Sequence, residues 1–211
     1  MSRTDWSRQT TWGQDERAQF FSKLKRAKNK SGYLRVQGFT LLETHQAVNY
    51  VAAIELFQMA LRDYPHEFEN AQLHLGLGRC HEALSNVDEA LRCFDLSVAA
   101  QDAFPNVKAG AYLDFCWLVA RQKLKSKYDI ALALLEKNQK EPFFPVENYK
   151  HYGSAALIHA ELGKSLSAKE NARVAIQAAE IKDSGARYHP HVGLVNNVDM
   201  DVHERLTRIA S

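Results

Sequence analysis

"HLGLGRCHEALSNVDEALRCFDLSV", residues 74–98, holds two histidines and two cysteines in twenty-five residues. It reads either as a metal-binding motif or as two helices folded against each other, and the choice decides the fold. Zinc ligands usually come as C-x2-C or H-x3-H, because a short loop or one helical turn must aim both at the ion. Cys80 and His81 are adjacent, so on a helix they point about 100° apart. Cys93 lies thirteen residues after Cys80 with no partner beside it, and His74 and His81 stand seven apart, two turns from each other. This spacing argues against a metal site, and no metal ligand is assigned.

The apolar residues fit two helices far better. Leu73, Leu77, Cys80 and Leu84 recur at helical spacing, as do Ala90, Phe94 and Val98. Between them, Asn86 is placed to cap the second helix, with Glu89 three residues on to reach back to its backbone N–H. Gly78 lies inside the first helix, at a cost of about 1 kcal/mol against alanine. Such a cost implies close packing, with Phe94 as the candidate side chain opposite. The stretch is a helical hairpin.

A lone amphipathic hairpin cannot bury its apolar face, so repetition is expected. A small-x3-large-x2-small pattern recurs as Ala53/Phe57/Ala60, Ala90/Phe94/Ser97, Ala131/Leu135/Asn138 and Ala172/Ile176/Ala179, at offsets of 37, 41 and 41 residues. Together with "AAIELFQMALRDYP", the opening stretch resembles tetratricopeptide repeats. The matching residues are Leu77, Gly78, Ala83, Leu84, Asp88, Glu89, Ala90 and Phe94, with Ala53, Phe57, Ala60 and the helix-ending Pro65. His81 stands where that family often has Tyr. The resemblance is good over 50–98, weak over 106–139 and faint over 146–181. The family period is about 34 residues, so longer helices or linkers are expected near Pro105 and the Pro142/Pro145 pair. Val119 falls where the third hairpin would carry its glycine.

The expected fold is all-α, a right-handed superhelical stack of about four helix-turn-helix hairpins. A tail covers residues 1–13, the repeat domain 14–181, and a C-terminal arm 182–211, with a short helix from Asp199 to Ile209 covering the open end. Helices are expected over 14–29, 32–43, 50–63, 67–84, 87–100, 106–124, 128–139, 146–162 and 168–181. Gly163 reads as a helix stop, and Ser167-x-x-Glu170 as a capping box.

In such stacks the first helix of each pair lines the concave side. The repeat register puts there Arg35, Phe39 and Leu42; Gln72, Leu75, Arg79 and Glu82; Leu113, Trp117 and Lys123; and Lys150, Ser154 and Leu157. Aromatic, aliphatic and basic groups suit a protein or peptide partner, with Arg35, Phe39, Arg79, Trp117 and Lys123 as leading anchors. The resemblance implies a non-catalytic interaction module acting as adaptor, assembly factor or inhibitor of immunity type. The clamp of Lys and Asn by which some members hold chaperone tails is missing, because no Asn accompanies Arg79, Lys123 and Lys150.

Other classes find less support. Lys23, Lys25, Arg26, Lys28, Lys30 and Arg35 carry no acid among them, and Tyr33 could stack on a base, which makes nucleic-acid regulation the alternative. The formal charge of +2 argues against it. His189, His191 and His203 sit in a polar, Pro-containing arm, and the first two would point oppositely if extended. No Walker loop, G-x-S-x-G, H-E-x-x-H or dinucleotide turn is present, and Asp114, Glu136 and Glu161 are single carboxylates, so neither enzyme activity nor cofactor is expected. Three cysteines at apolar positions, with no apolar leader and no membrane-length run, suit a cytoplasmic protein.

Overall fold

The computed structural model describes residues 5–140, 144–196 and 198–211. Among these it holds ten α-helices and no strand. The helices are α1 Gln14–Leu24, α2 Lys30–Leu42, α3 Ala47–Asp63, α4 Glu67–Ala83, α5 Val87–Ala103, α6 Ala111–Arg121, α7 Tyr128–Lys137, α8 Pro145–Glu161, α9 Ser165–Glu180 and α10 Met200–Ala210. The chain divides into two compact units, residues 1–111 and 112–211. No helix of the described residues is long and apolar enough to cross a membrane.

In the first unit α2 pairs with α3 and α4 with α5, and α4 also packs against both α2 and α3. Phe57 from α3 is fully buried at the centre. Its ring fills the notch left by Gly38 of α2 and Gly76 of α4, where an added Cβ would stand 2.5 Å from ring carbons at either glycine. Gly78 does the same for Phe94, whose ring carbons lie 2.4 Å from the Cβ position, so the packing expected of that pair is present. Ser97 of α5 donates to the Ala71 carbonyl of α4 at 2.6 Å. Residues 6–12, read as part of a tail, lie against this core. Trp6 packs on Phe20 and Tyr33 with centroids 5.3 and 4.6 Å apart. Gln9 and Gln37 exchange hydrogen bonds of 2.9 and 2.7 Å.

In the second unit α8 and α9 form the tightest pair, and α10 packs on both. It stands to them as α4 stands to α2 and α3, in the place of a next first helix. The Cys116 thiol of α6 donates to the Ala131 carbonyl of α7 at 3.4 Å. The buried stripe of α9 is Ala168, Ala172, Ala175 and Ala178, whereas Ile176 and Ala179 are only half-buried. The expected Ala172/Ile176/Ala179 register is therefore off after its first residue. An all-alanine stripe lets neighbouring helices approach closely, and pattern matching for one large residue misses it.

Several expected boundaries move for identifiable reasons. α1 stops at Leu24 rather than Asn29, because the Asn29 side chain accepts from Gly32 N at 2.8 Å and caps α2. α6 begins at Ala111 rather than 106, because Gln101 Oε1 accepts from the backbone of Ala109 and Gly110 at 2.8 and 3.2 Å and holds a loop there. α9 begins at Ser165, so Ser167 and Glu170 lie within the helix and form no capping box. Asn86 occupies the cap position of α5 without a side-chain cap bond. Pro142 lies outside the described residues.

The repeat is written in the backbone as well as the side chains. The first helices α2, α4, α6 and α8 each run into one left-handed residue: His45 (φ 55°), Ser85 (63°), Lys123 (54°) and Gly163 (73°). After three of them the same i→i−5 bond closes the helix, Asn86 N to His81 O, Leu124 N to Val119 O and Lys164 N to His159 O, at 2.8, 3.0 and 2.9 Å. Only the fourth hairpin uses glycine, as expected of Gly163. A left-handed side-chain residue costs about 1 kcal/mol over glycine. Ser85→Gly is therefore expected to stabilise the first unit by about that amount, read as a higher urea midpoint with unchanged slope.

Candidate functional site

The first-helix faces differ between the two units. In the first, α2 contributes Arg35 and Phe39, and α4 contributes Gln72, Leu75, Arg79 and Glu82. Arg35 is bonded to Glu69 across the two helices, with its side chain 31% exposed. Phe39 is half-buried and meets Phe57 edge-on, centroids 5.2 Å apart. Gln72 is half-buried and donates to the Lys108 carbonyl at 3.0 Å. Arg79 is exposed and Glu82 half-buried. Leu75, at 2% exposure, is interior and presents nothing to a partner.

In the second unit the corresponding residues are engaged internally. Leu113 and Trp117 are 7% and 8% exposed, which corrects their expected role as open anchors. Trp117 lies 5.4 Å from the Tyr149 ring and under the Arg121 guanidinium, and Gly153 leaves room for it. Lys150 is paired at 2.6 Å with Asp114, a carboxylate only 5% exposed. Lys123 pairs at 2.9 Å with Glu161, and this hydrogen bond holds the Glu161 carboxyl below its ordinary range. Ser154 and Leu157 are buried. Two of the carboxylates read from sequence as solitary are thus halves of ion pairs.

The arm contributes to that engagement. Gly193 O accepts from Val146 N at 2.8 Å, Asp199 pairs with Arg121 at 3.5 Å, and His203 Nδ1 lies 3.3 Å from the Tyr149 hydroxyl. Trp117, Arg121, Tyr149, Lys150, Leu194, Val195 and Asp199 bound a cavity of about 320 Å³. His189 and His191 are exposed. The sequence marked Trp117 and Lys150 as lining; that Leu194, Val195, Asn196 and Asp199 of the arm border the same hollow is a tertiary outcome.

The basic segment borders a separate hollow. Lys28, Asn29, Lys30 and Ser31 face Tyr64, Pro65 and His66 around about 590 Å³. Lys30 sits 5.2 Å over the Tyr64 ring. Tyr33, the candidate for base stacking, has Trp6 against its ring and is half-buried, so the nucleic-acid reading loses its stacking platform.

The cysteines are reduced and buried. Burial pushes the Cys80 thiol up to about 12 and raises Cys93 and Cys116 as well. Such thiols are poor nucleophiles.

Paired antiparallel helices, a large residue lodged in glycine notches and a recurrent left-handed turn are together the geometry of one repeat class. Residues 45–111 match the family model described as tetratricopeptide repeat. Over these residues the chain is similar to tetratricopeptide repeats. No curated protein and no solved structure matches it. The match covers α3, α4 and α5, the part of the sequence where the resemblance is strongest. Tetratricopeptide repeats generally mediate protein–protein interaction and are typically non-catalytic.

Proposed function

We propose that this protein is a non-catalytic interaction module that binds a partner polypeptide on the α2/α4 face of its first unit. Arg35, Phe39, Gln72, Arg79 and Glu82 form the contact surface, with Arg79 its principal charge. What supports the reading is the asymmetry between the faces. Arg79 is exposed and Arg35, Phe39, Gln72 and Glu82 are half-buried on the first helices of the first unit, whereas Leu113, Trp117, Ser154 and Leu157 on those of the second are buried. An exposed basic side chain on α4 and a half-buried aromatic on α2 suit an extended segment carrying both an acidic and an apolar group. Adaptor, assembly-factor and inhibitor roles all use such a surface.

The test is capture from the native host with wild type, Arg79→Glu and, as control, a reversal at exposed Lys182. Arg79→Glu is expected to lose partners that wild type and Lys182→Glu retain, with unchanged far-ultraviolet circular dichroism. Equal capture by all three overturns the surface.

A further inference from the structure

The α4–α5 hairpin creates a juxtaposition that spacing along either helix does not reveal. Glu89 and Cys93 are one turn apart on α5, so their side chains share a face. The hairpin brings that face against the last turn of α4, where His81 lies. One donor atom from each of His81, Glu89 and Cys93 stands within 4.8 Å of the other two. Donors around a tetrahedral ion with bonds of 2.0–2.3 Å stand about 3.5 Å apart. Side-chain shifts of about 1 Å therefore bring all three onto one ion.

Two further observations bear on it. His81 Nδ1 is buried with no hydrogen-bond partner among the described residues, and buried polar atoms ordinarily have one. His74, His151 and His159 share that condition, but among the described residues only His81 belongs to such a group of donors. Glu89 also keeps a donor in hand: both bonds from Arg92, of 3.0 and 2.6 Å, go to Oε2, so Oε1 is left for an ion.

We propose that His81, Glu89 and Cys93 form a three-ligand site for a thiophilic divalent metal ion of the zinc type, with a solvent water as fourth ligand. Nitrogen, carboxylate oxygen and sulfur together select such an ion over calcium or magnesium, which take oxygen alone. The exposed side of Glu89, 49% open, gives the ion its entry and the water its place. On binding, the Cys93 thiol releases its proton to solvent and the thiolate takes the metal. The Arg92 guanidinium beside Glu89 opposes the incoming cation. The ion would pin the turn end of the hairpin, independently of the partner surface.

Cobalt(II) added to the reduced full-length protein is the probe. Wild type is expected to give a sulfur-to-cobalt charge-transfer band with strong tetrahedral visible absorption, displaced by zinc. Cys93→Ser should abolish the band, while Cys116→Ser and Cys80→Ser keep it. Glu89→Gln, a surface change that leaves the core intact, should weaken binding at least tenfold, and Arg92→Gln should tighten it several-fold. Absence of the band in wild type, its persistence in Cys93→Ser, or unchanged affinity in Glu89→Gln overturns the site.

Discussion

Phe57→Ala is expected to unfold the first unit or come close to it. The ring is fully buried and lies in contact distance of both Gly38 and Gly76. Truncation leaves a hole walled partly by helix backbone at Gly38 and Gly76, which cannot collapse inward as side chains do. Phe→Ala costs about 3–5 kcal/mol in such cores, a large part of the whole stability of a domain. The complementary change tests the same notch: Gly76→Ala drives a methyl into the ring at 2.5 Å and is expected to cost about 1–3 kcal/mol. Urea unfolding followed by circular dichroism measures both. A Phe57→Ala midpoint within error of wild type would show that the notch does not hold the hairpins together.

The second unit is expected to weaken on mild acidification. His151 of α8 is 4% exposed, its Nδ1 is unpartnered, and burial pushes its imidazole down to about 4. In the unfolded chain the same group titrates near about 6.5. As pH falls, the unfolded state therefore binds the proton first, so stability is full above about 6.5 and drains away down to about 4. The shift corresponds to about 3 kcal/mol in total. Glu136, His159 and Lys164 line the same hollow as His151, and His74 and His159 are lowered in the same direction. His151→Phe should flatten the stability profile between about pH 6.5 and 5, above the range where carboxylates dominate. An identical slope in the variant would mean that another group carries the acid lability.

Elements were legible where one strong local signal sufficed. Gly78 inside a helix announced a ring opposite, and Phe94 is that ring. Gly163 announced a helix stop, and a left-handed turn is there. The α4–α5 hairpin followed from apolar periodicity alone. Elsewhere the deciding bond came from far along the chain or from an ordinary residue. Gln101 and Gln72 hold the loop before α6, and nothing in their own neighbourhood marks them for it. His45, Ser85 and Lys123 take left-handed turns that sequence assigns to glycine. The alanine stripe of α9 carries no large residue to find.

The binding face shows the same division. Helical register does put Trp117, Lys150 and Arg79 on first helices. Register cannot distinguish an open side chain from a covered one, because exposure depends on what packs above. Leu194, Val195 and Asn196 border the same hollow as Trp117, and Asp114 holds Lys150. The spacing of histidine and cysteine pairs does not reveal the His81/Glu89/Cys93 group, because its donors come from two helices, although Glu89 and Cys93 stand at the one-turn spacing of a ligand pair.

Amphipathic period and the glycine–aromatic pairing sufficed by themselves to determine helices, hairpins and their repetition, since each is an interaction between residues close in sequence or repeated in it. Which first-helix side chains stay exposed, and which three donors converge at a turn, were decided only on folding. Those properties depend on distances between side chains of different helices, and helical periodicity sets the direction of a side chain without setting what it meets.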